Sequence, residues 1–316
     1  MHKFFRFPCF LFACLAFCAQ PLQADVKWAE EMIDGVLQDD PRYPKRLLEL
    51  GATNTNYQVK KGEKSYFFRL SSDLFKELYA DQEVEYSVLK QLENTKIAPR
   101  PYFFDPTRGI LITEYIEHDG VAVDLLEQKV QKVVCDMLKR IEKEHLSVER
   151  VFHPYLDTLA LVRKAKDPLP KGFQKQALPA LEKISKKLMQ YPQKTLCHLD
   201  LHHKNILKKE DSLFLIDWEY AAMSHPYHTL ASMASIERWS DEEMWQILAQ
   251  YSGQLTQEDK DCMFFYRIVS DLFWTAWCHV QMENPSTDSP YADWRDLFFS
   301  AAMERIEKLE TYQGDA

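Results

Sequence analysis

Glycine is scarce in this chain, with 8 residues in 316. There is no G-x-G-x-x-G and no G-x-x-x-x-G-K-[ST], so glycine-built dinucleotide and P-loop sites are excluded. Basic residues are also in deficit: 39 Lys+Arg face 48 Asp+Glu, for a formal charge of −9. No basic stripe is present, which argues against a nucleic-acid partner. No C-x-x-C occurs among the seven cysteines, and three of them (Cys9, Cys14, Cys18) fall in the first 24 residues. Cys135, Cys197, Cys262 and Cys278 are widely spaced in apolar settings and read as buried thiols. Repeats and low-complexity tracts are missing as well.

What is present is an ordinary globular balance, 46% hydrophobic and 28% charged, over a length that supports one large domain or two lobes. The N-terminus is separate. Lys3 and Arg6 precede an apolar run from Pro8 to Ala19, followed by small and polar residues. That pattern reads as a secretory signal cut after Ala24. An uncleaved anchor associating with a membrane through residues 4–19, or a start codon placed too early, are the alternatives. The apolar run falls short of the roughly 20 residues that a spanning helix needs.

Residues 26–50 have an amphipathic, helix-like pattern. "NYQV" and "SYFFRL" alternate around the turn "KKGEK" and read as paired strands. Phe68 and Leu70 share one face of the second strand, and Phe67 and Arg69 the other. In the helix "DQEVEYSVLKQLEN", Glu85 lies on the apolar stripe of Val84, Val88 and Leu92, whereas Glu83 faces out. "IAPRPYFFD" is a proline-punctuated edge segment and "GILITEYIE" a strand. From about Val121 the chain is mostly helical, interrupted by the strand-like runs "TLCH" and "SLFLIDW". Strands first and helices after imply an α+β protein, with a small β-rich N-lobe at 25–118 and a larger helical C-lobe at 119–316.

Between the two short strands lies "CHLDLHHKNIL". His198, His202 and His203 could bind zinc, but no H-E-x-x-H or C-x-x-C accompanies them. The frame H-x-D-x-x-x-x-N followed by "IDWEY" instead resembles the catalytic loop and metal-binding Asp of protein-kinase-like phosphotransferases. In such a site Asp200 accepts or orients the acceptor hydroxyl, and His198 braces the loop. Asn205 and Asp217 offer hard oxygen ligands to Mg²⁺ on the phosphates of ATP. Arg69 supplies the phosphate cation, steadied by Glu85, with Glu83 as the fallback partner. Thr53 and Asn54 in "GATNTNY" stand where a phosphate loop belongs. "ITEYIE", including Glu114 and Ile116, is the connector whose backbone meets adenine.

"GATNTNY", "YFFRL", "EYSVLKQL…IAPRPY", "CHLDLHHKNIL" and "LIDWEYA" together resemble the choline/ethanolamine kinase branch of the aminoglycoside-phosphotransferase-like kinases, over roughly residues 46–310. "SDLFWTAWCHVQ" is similar to the C-terminal W-x-x-W helix of choline kinases. The resemblance implies a two-lobed protein-kinase-like fold and an ATP- and Mg²⁺-dependent kinase of a small amino alcohol, most readily choline. Trp274, Trp277 and Trp294 would form a cation–π cage for the quaternary ammonium, although two tryptophans at helical spacing also suit a core. Thiamine, ethanolamine or aminoglycoside kinases, and a non-catalytic pseudokinase binding a small cation or a partner protein, are the rivals. Two departures stand out. His228 occupies the place of a family aspartate, and a signal-like N-terminus conflicts with a need for cytoplasmic ATP.

Overall fold

The computed structural model describes residues 23–50, 54–71, 80–118, 120–283 and 290–314. Thr53 and the signal-like residues 1–22 lie outside that set. The expected cut after Ala24 falls in the first turn of helix α1, Gln23–Leu37.

The helical reading of 26–50 fails beyond Leu37. Pro41 and Pro44 cannot continue a helix, and "KRLLEL" forms strand β1, Lys45–Leu50. It is drawn into the sheet by antiparallel pairing with β2, Asn54–Lys61, which sets Leu47 opposite Tyr57. β2 and β3, Lys64–Ser71, form the expected hairpin, turned by Gly62 at φ 62°. β4 (Pro101–Asp105) and β5 (Ile110–Glu114) complete a sheet in the order β1-β2-β3-β5-β4. The proline-bearing strand is therefore at the edge, where a missing N–H costs no ladder bond.

The two faces of this sheet bury different things. Tyr66, Phe68, Ile110 and Ile112 pack with Met32, Ile33 and Val36 of α1 in a small core. The opposite face of β3 presents Arg69 to helix α2, Gln82–Leu92. Asp81 caps α2 by accepting from the N–H groups of Glu83 and Val84. Val88, Leu89 and Leu92 of α2 then join the large core of the helical lobe.

That lobe begins with α3 (Gln128–Lys143), α4 (Pro154–Lys164) and α5 (Leu178–Leu188). Four short strands follow: β6 (Thr195–Cys197), β7 (Ile206–Lys209), β8 (Ser212–Leu215) and β9 (Ala222–Ser224). They pair as β6 with β9 and β7 with β8. Helices α6 (Pro226–Ile236), α7 (Asp241–Ser252), α8 (Gln257–Met282) and α9 (Tyr291–Gly314) close the lobe. α7 and α8 each start in a capping box, Ser240 with Glu243 and Thr256 with Asp259. Among the described residues no helix is long and apolar enough to cross a membrane. Cys135, Cys197, Cys262 and Cys278 are buried free thiols, as their settings imply.

Candidate active site

One cavity of about 590 Å³ opens where the sheet meets the helical lobe. At one end it is lined by Asn54, Arg69, Asp200, Asp217 and Glu219. At the other stand Tyr220, Trp274, Trp277, Tyr291, Trp294 and Phe298.

The polar end is organised around a buried guanidinium. Arg69 is fixed on β3 between Asn56 of β2 and Leu111 of β5. Its Nη1 donates to Glu85 Oε2 at 2.8 Å, its Nη2 to Asp217 Oδ1 at 3.2 Å, and Glu219 Oε2 lies 3.8 Å from Nη1. Burial opposes the charge on Arg69, but attraction to Glu85, Asp217 and Glu219 outweighs it, so the guanidinium stays charged. Burial pushes the Glu85 carboxyl up, against the pull of Arg69. Glu83 is exposed, so the stripe assigned the inward position correctly to Glu85.

The loop after β6 is held from several sides. Leu199 (φ 63°) and Asp217 (φ 68°) both adopt left-handed backbone without being glycine. Such strain persists only where neighbours enforce it, and they do. His198 N–H donates to Thr229 Oγ1, and the Ser232 hydroxyl to the Leu199 carbonyl. The His198 ring is fully buried against Trp218, with Nε2 2.9 Å from the Ile216 carbonyl. Burial lowers its pKa to about 4, so the ring is neutral and Nε2 is the donor. His198 thus ties the Asp200 loop to the segment that delivers Asp217, and it does not line the cavity. Asn205 Nδ2 donates to the Asp200 backbone carbonyl at 2.8 Å and approaches Asp200 Oδ2 at 3.3 Å. Burial and repulsion from Asp217 raise the Asp200 carboxyl well above the usual range, with Asn205 opposing.

His228 does not supply the missing aspartate's charge. It is buried, its Nδ1 lies 2.9 Å from Ser224 Oγ, and its ring stacks 4.6 Å from Tyr266. Burial holds its pKa down at about 3. Support of the loop from α6 comes instead from Thr229 and Ser232.

The aromatic end is a chain of edge-on contacts. Trp274 and Trp277 of α8 lie 5.5 Å apart, Trp277 and Tyr291 5.6 Å, and Tyr291 and Trp294 5.6 Å. Tyr220 closes the floor, 5.5 Å from Trp274, and its hydroxyl accepts from Trp277 Nε1 at 2.7 Å. Trp274 is 5% exposed and donates to Ser232 Oγ, so it belongs to the core as well as to the wall.

Glu219, Tyr220 and Tyr291 join the residues expected from the sequence. The first two come two and three residues after Asp217 in "IDWEY", and Tyr291 precedes Trp294 by three, the spacing of one helix face. Glu219 Oε2 is buried without a hydrogen-bond partner. Glu114 and Ile116 are not among the cavity's lining residues. The Glu114 N–H is already donated to the Arg100 carbonyl at 2.8 Å, because β5 ends against the β4 approach.

Comparison with known proteins agrees with this geometry. Residues 46–264 match the Phosphotransferase enzyme family. Protein LicA of Haemophilus influenzae is 25% identical over 221 residues, which span 65% of this chain and 80% of that protein. The crystal structure of choline kinase LicA from Streptococcus pneumoniae superposes with a TM-score of 0.74 at 22% identity, covering 89% of this chain and 99% of that one. A crystal structure of LicA in complex with AMP gives 0.70 at 20% identity, over 88% of this chain and 98% of that one. With more than half its length in the match, the chain belongs to the phosphotransferase enzyme family and has the two-lobed, protein-kinase-like fold.

Proposed function

We propose that this phosphotransferase moves the γ-phosphoryl group of ATP to the hydroxyl of a small amino alcohol, choline foremost. The observation that carries the reading is the two-ended cavity. A carboxylate-rich end suited to phosphate and cation is continuous with an aromatic wall that includes Tyr220, Trp274, Trp277, Tyr291 and Trp294. A quaternary ammonium has no N–H to donate, so aromatic faces are the groups that recognise it. The choline kinase and AMP complex among the similar structures support the acceptor and nucleotide classes.

The polar end fits Mg²⁺. Asp200, Asp217 and Glu219 line the cavity together with Arg69, and Glu219 Oε2 is buried without a hydrogen-bond partner. These carboxylates are hard oxygen donors of the kind Mg²⁺ prefers. Asp217 and the amide oxygen of Asn205 would hold the ion, which when bound neutralises phosphate charge as the bond to phosphorus breaks. Arg69, locked by Glu85, meets phosphate oxygens without having to reorganise. Asp200 accepts the hydroxyl proton as the acceptor oxygen bonds to the γ-phosphorus, and the β-phosphate oxygen leaves with ADP. ATP as donor also requires the site to face cytoplasmic nucleotide, whatever residues 1–24 do.

The test is ADP release by the full chain with Mg-ATP, with and without choline, and with ethanolamine, thiamine or an aminoglycoside in parallel. Choline-dependent ADP is expected. Stimulation by another acceptor alone would remove choline and retain the kinase. Bound nucleotide with no turnover on any of them would favour a pseudokinase.

A further inference from the structure

Where the loop at His202 and His203 meets the end of α6, three groups that could ligate a metal ion come together, and the proposed reaction does not use them. His202, His203 and Glu237 each offer one ligand atom, and the three atoms lie within 4.8 Å of one another. The sequence alone lacked a partner for this histidine pair, because Glu237 is 34 residues beyond His203. The fold supplies it. Glu237 ends α6, and Arg238 behind it adopts φ 58°, the left-handed residue that stops a helix and turns its end back. This aims the Glu237 carboxylate at the loop. Its Oε1 accepts from the His203 backbone N–H at 2.7 Å and lies 2.7 Å from His203 Nδ1. The His202 ring stands 5.8 Å from that of His203, at 73°. All three side chains are partly exposed, and both histidines line the cavity.

We infer that His202, His203 and Glu237 form a site for a borderline transition-metal ion of the Zn²⁺ class, distinct from the Mg²⁺ position at Asn205 and Asp217. Two imidazoles and one carboxylate select Zn²⁺, Co²⁺ or Ni²⁺ over Mg²⁺, which prefers oxygen donors and octahedral geometry. Bonds of about 2.0–2.2 Å place tetrahedral donors roughly 3.4 Å apart. Rotation of two half-buried imidazoles bridges the difference from the observed spacing. Three protein ligands leave a fourth position open to the cavity. An ion there staples the catalytic loop to the end of α6.

The experiment is titration of the full-length protein with Co²⁺, followed by its visible d–d absorption, in excess Mg²⁺. One saturable equivalent is expected, displaced by Zn²⁺ and untouched by Mg²⁺. His203→Ala and Glu237→Gln should each weaken it by at least about tenfold, on the scale of lost metal-site partners. Glu237→Gln preserves size and surface, and thermal melts establish that both variants are folded. Absence of saturable Co²⁺ absorption, displacement by Mg²⁺, or unchanged affinity in the folded variants would overturn the assignment.

Discussion

Replacing Arg69 with Met keeps the length and apolar stem of the side chain and deletes the guanidinium. The charge lost sits 2.8 Å from Glu85, 3.2 Å from Asp217 and 3.8 Å from Glu219, on a side chain only 7% exposed. At an effective dielectric of about 20, those separations correspond to gross attractions of about 6, 5 and 4 kcal/mol. Desolvation of the ions and repulsion among the carboxylates cancel most of this. What the variant feels is the cost of leaving Glu85 buried and unpaired, about 3–5 kcal/mol. Part of that is recoverable, because Glu85→Gln in the same background removes the orphaned charge. The double variant should therefore be more stable than Arg69→Met by about 1–3 kcal/mol, within the range of coupling between contacting residues. Urea titration of the full chain, read at matched probes, gives the three differences. A loss below about 1 kcal/mol in Arg69→Met, or strict additivity in the double variant, would refute the account of a guanidinium clamped by Glu85.

Three further outcomes follow from the geometry. Asp200→Asn should abolish turnover while nucleotide binding persists, measured by calorimetry beside ADP release; equal loss of both would remove Asp200 as proton acceptor. Trp277→Ala should raise the choline KM several-fold more than the ATP KM, because Trp277 is a partly exposed wall residue, whereas Trp274→Ala should cost about 3–5 kcal/mol of stability as a core truncation. Acid sensitivity provides the last. His228 titrates near 3 in the fold and near 6.5 when unfolded, so the unfolded chain takes up the proton first. Stability that His228 confers above pH 6.5 is thus lost as pH falls, by about 2 kcal/mol between pH 7 and 5. Asp200 and Glu219, raised by burial, titrate in the opposite sense. The comparison is therefore with His228→Gln, whose pH 7-to-5 loss should be smaller by that amount, and equal losses in both proteins would contradict the burial argument.

Much of the site was legible because its chemistry is bound to local sequence. The strand face that carries Arg69, the inward helix position of Glu85, and the spacing of Asp200, Asn205 and Asp217 are all set by periodicities of two and 3.6 and by short loops. Those local rules also put Trp274 and Trp277, which the resemblance to the W-x-x-W helix singles out, on one helix face. They could not say whether that face met a core or a cavity, and it meets both. The strand at Lys45–Leu50 escaped them, since its state is decided by a partner strand that pairs with it and by prolines before it, more than by its own pattern.

The sequence by itself determined the fold class, the phosphotransferase frame and the residues that pair across it, since those follow from side-chain period and from chemistry at fixed short spacing. Tertiary structure alone decided the remainder. It buried the His198 ring against Trp218, tied the loop to α6 through Thr229 and Ser232, and carried Tyr220 and Tyr291 into the aromatic wall. It also brought Glu237 to the histidine pair. Each of these depends on where one element comes to rest against another far along the chain, and packing, which no local pattern encodes, sets that position.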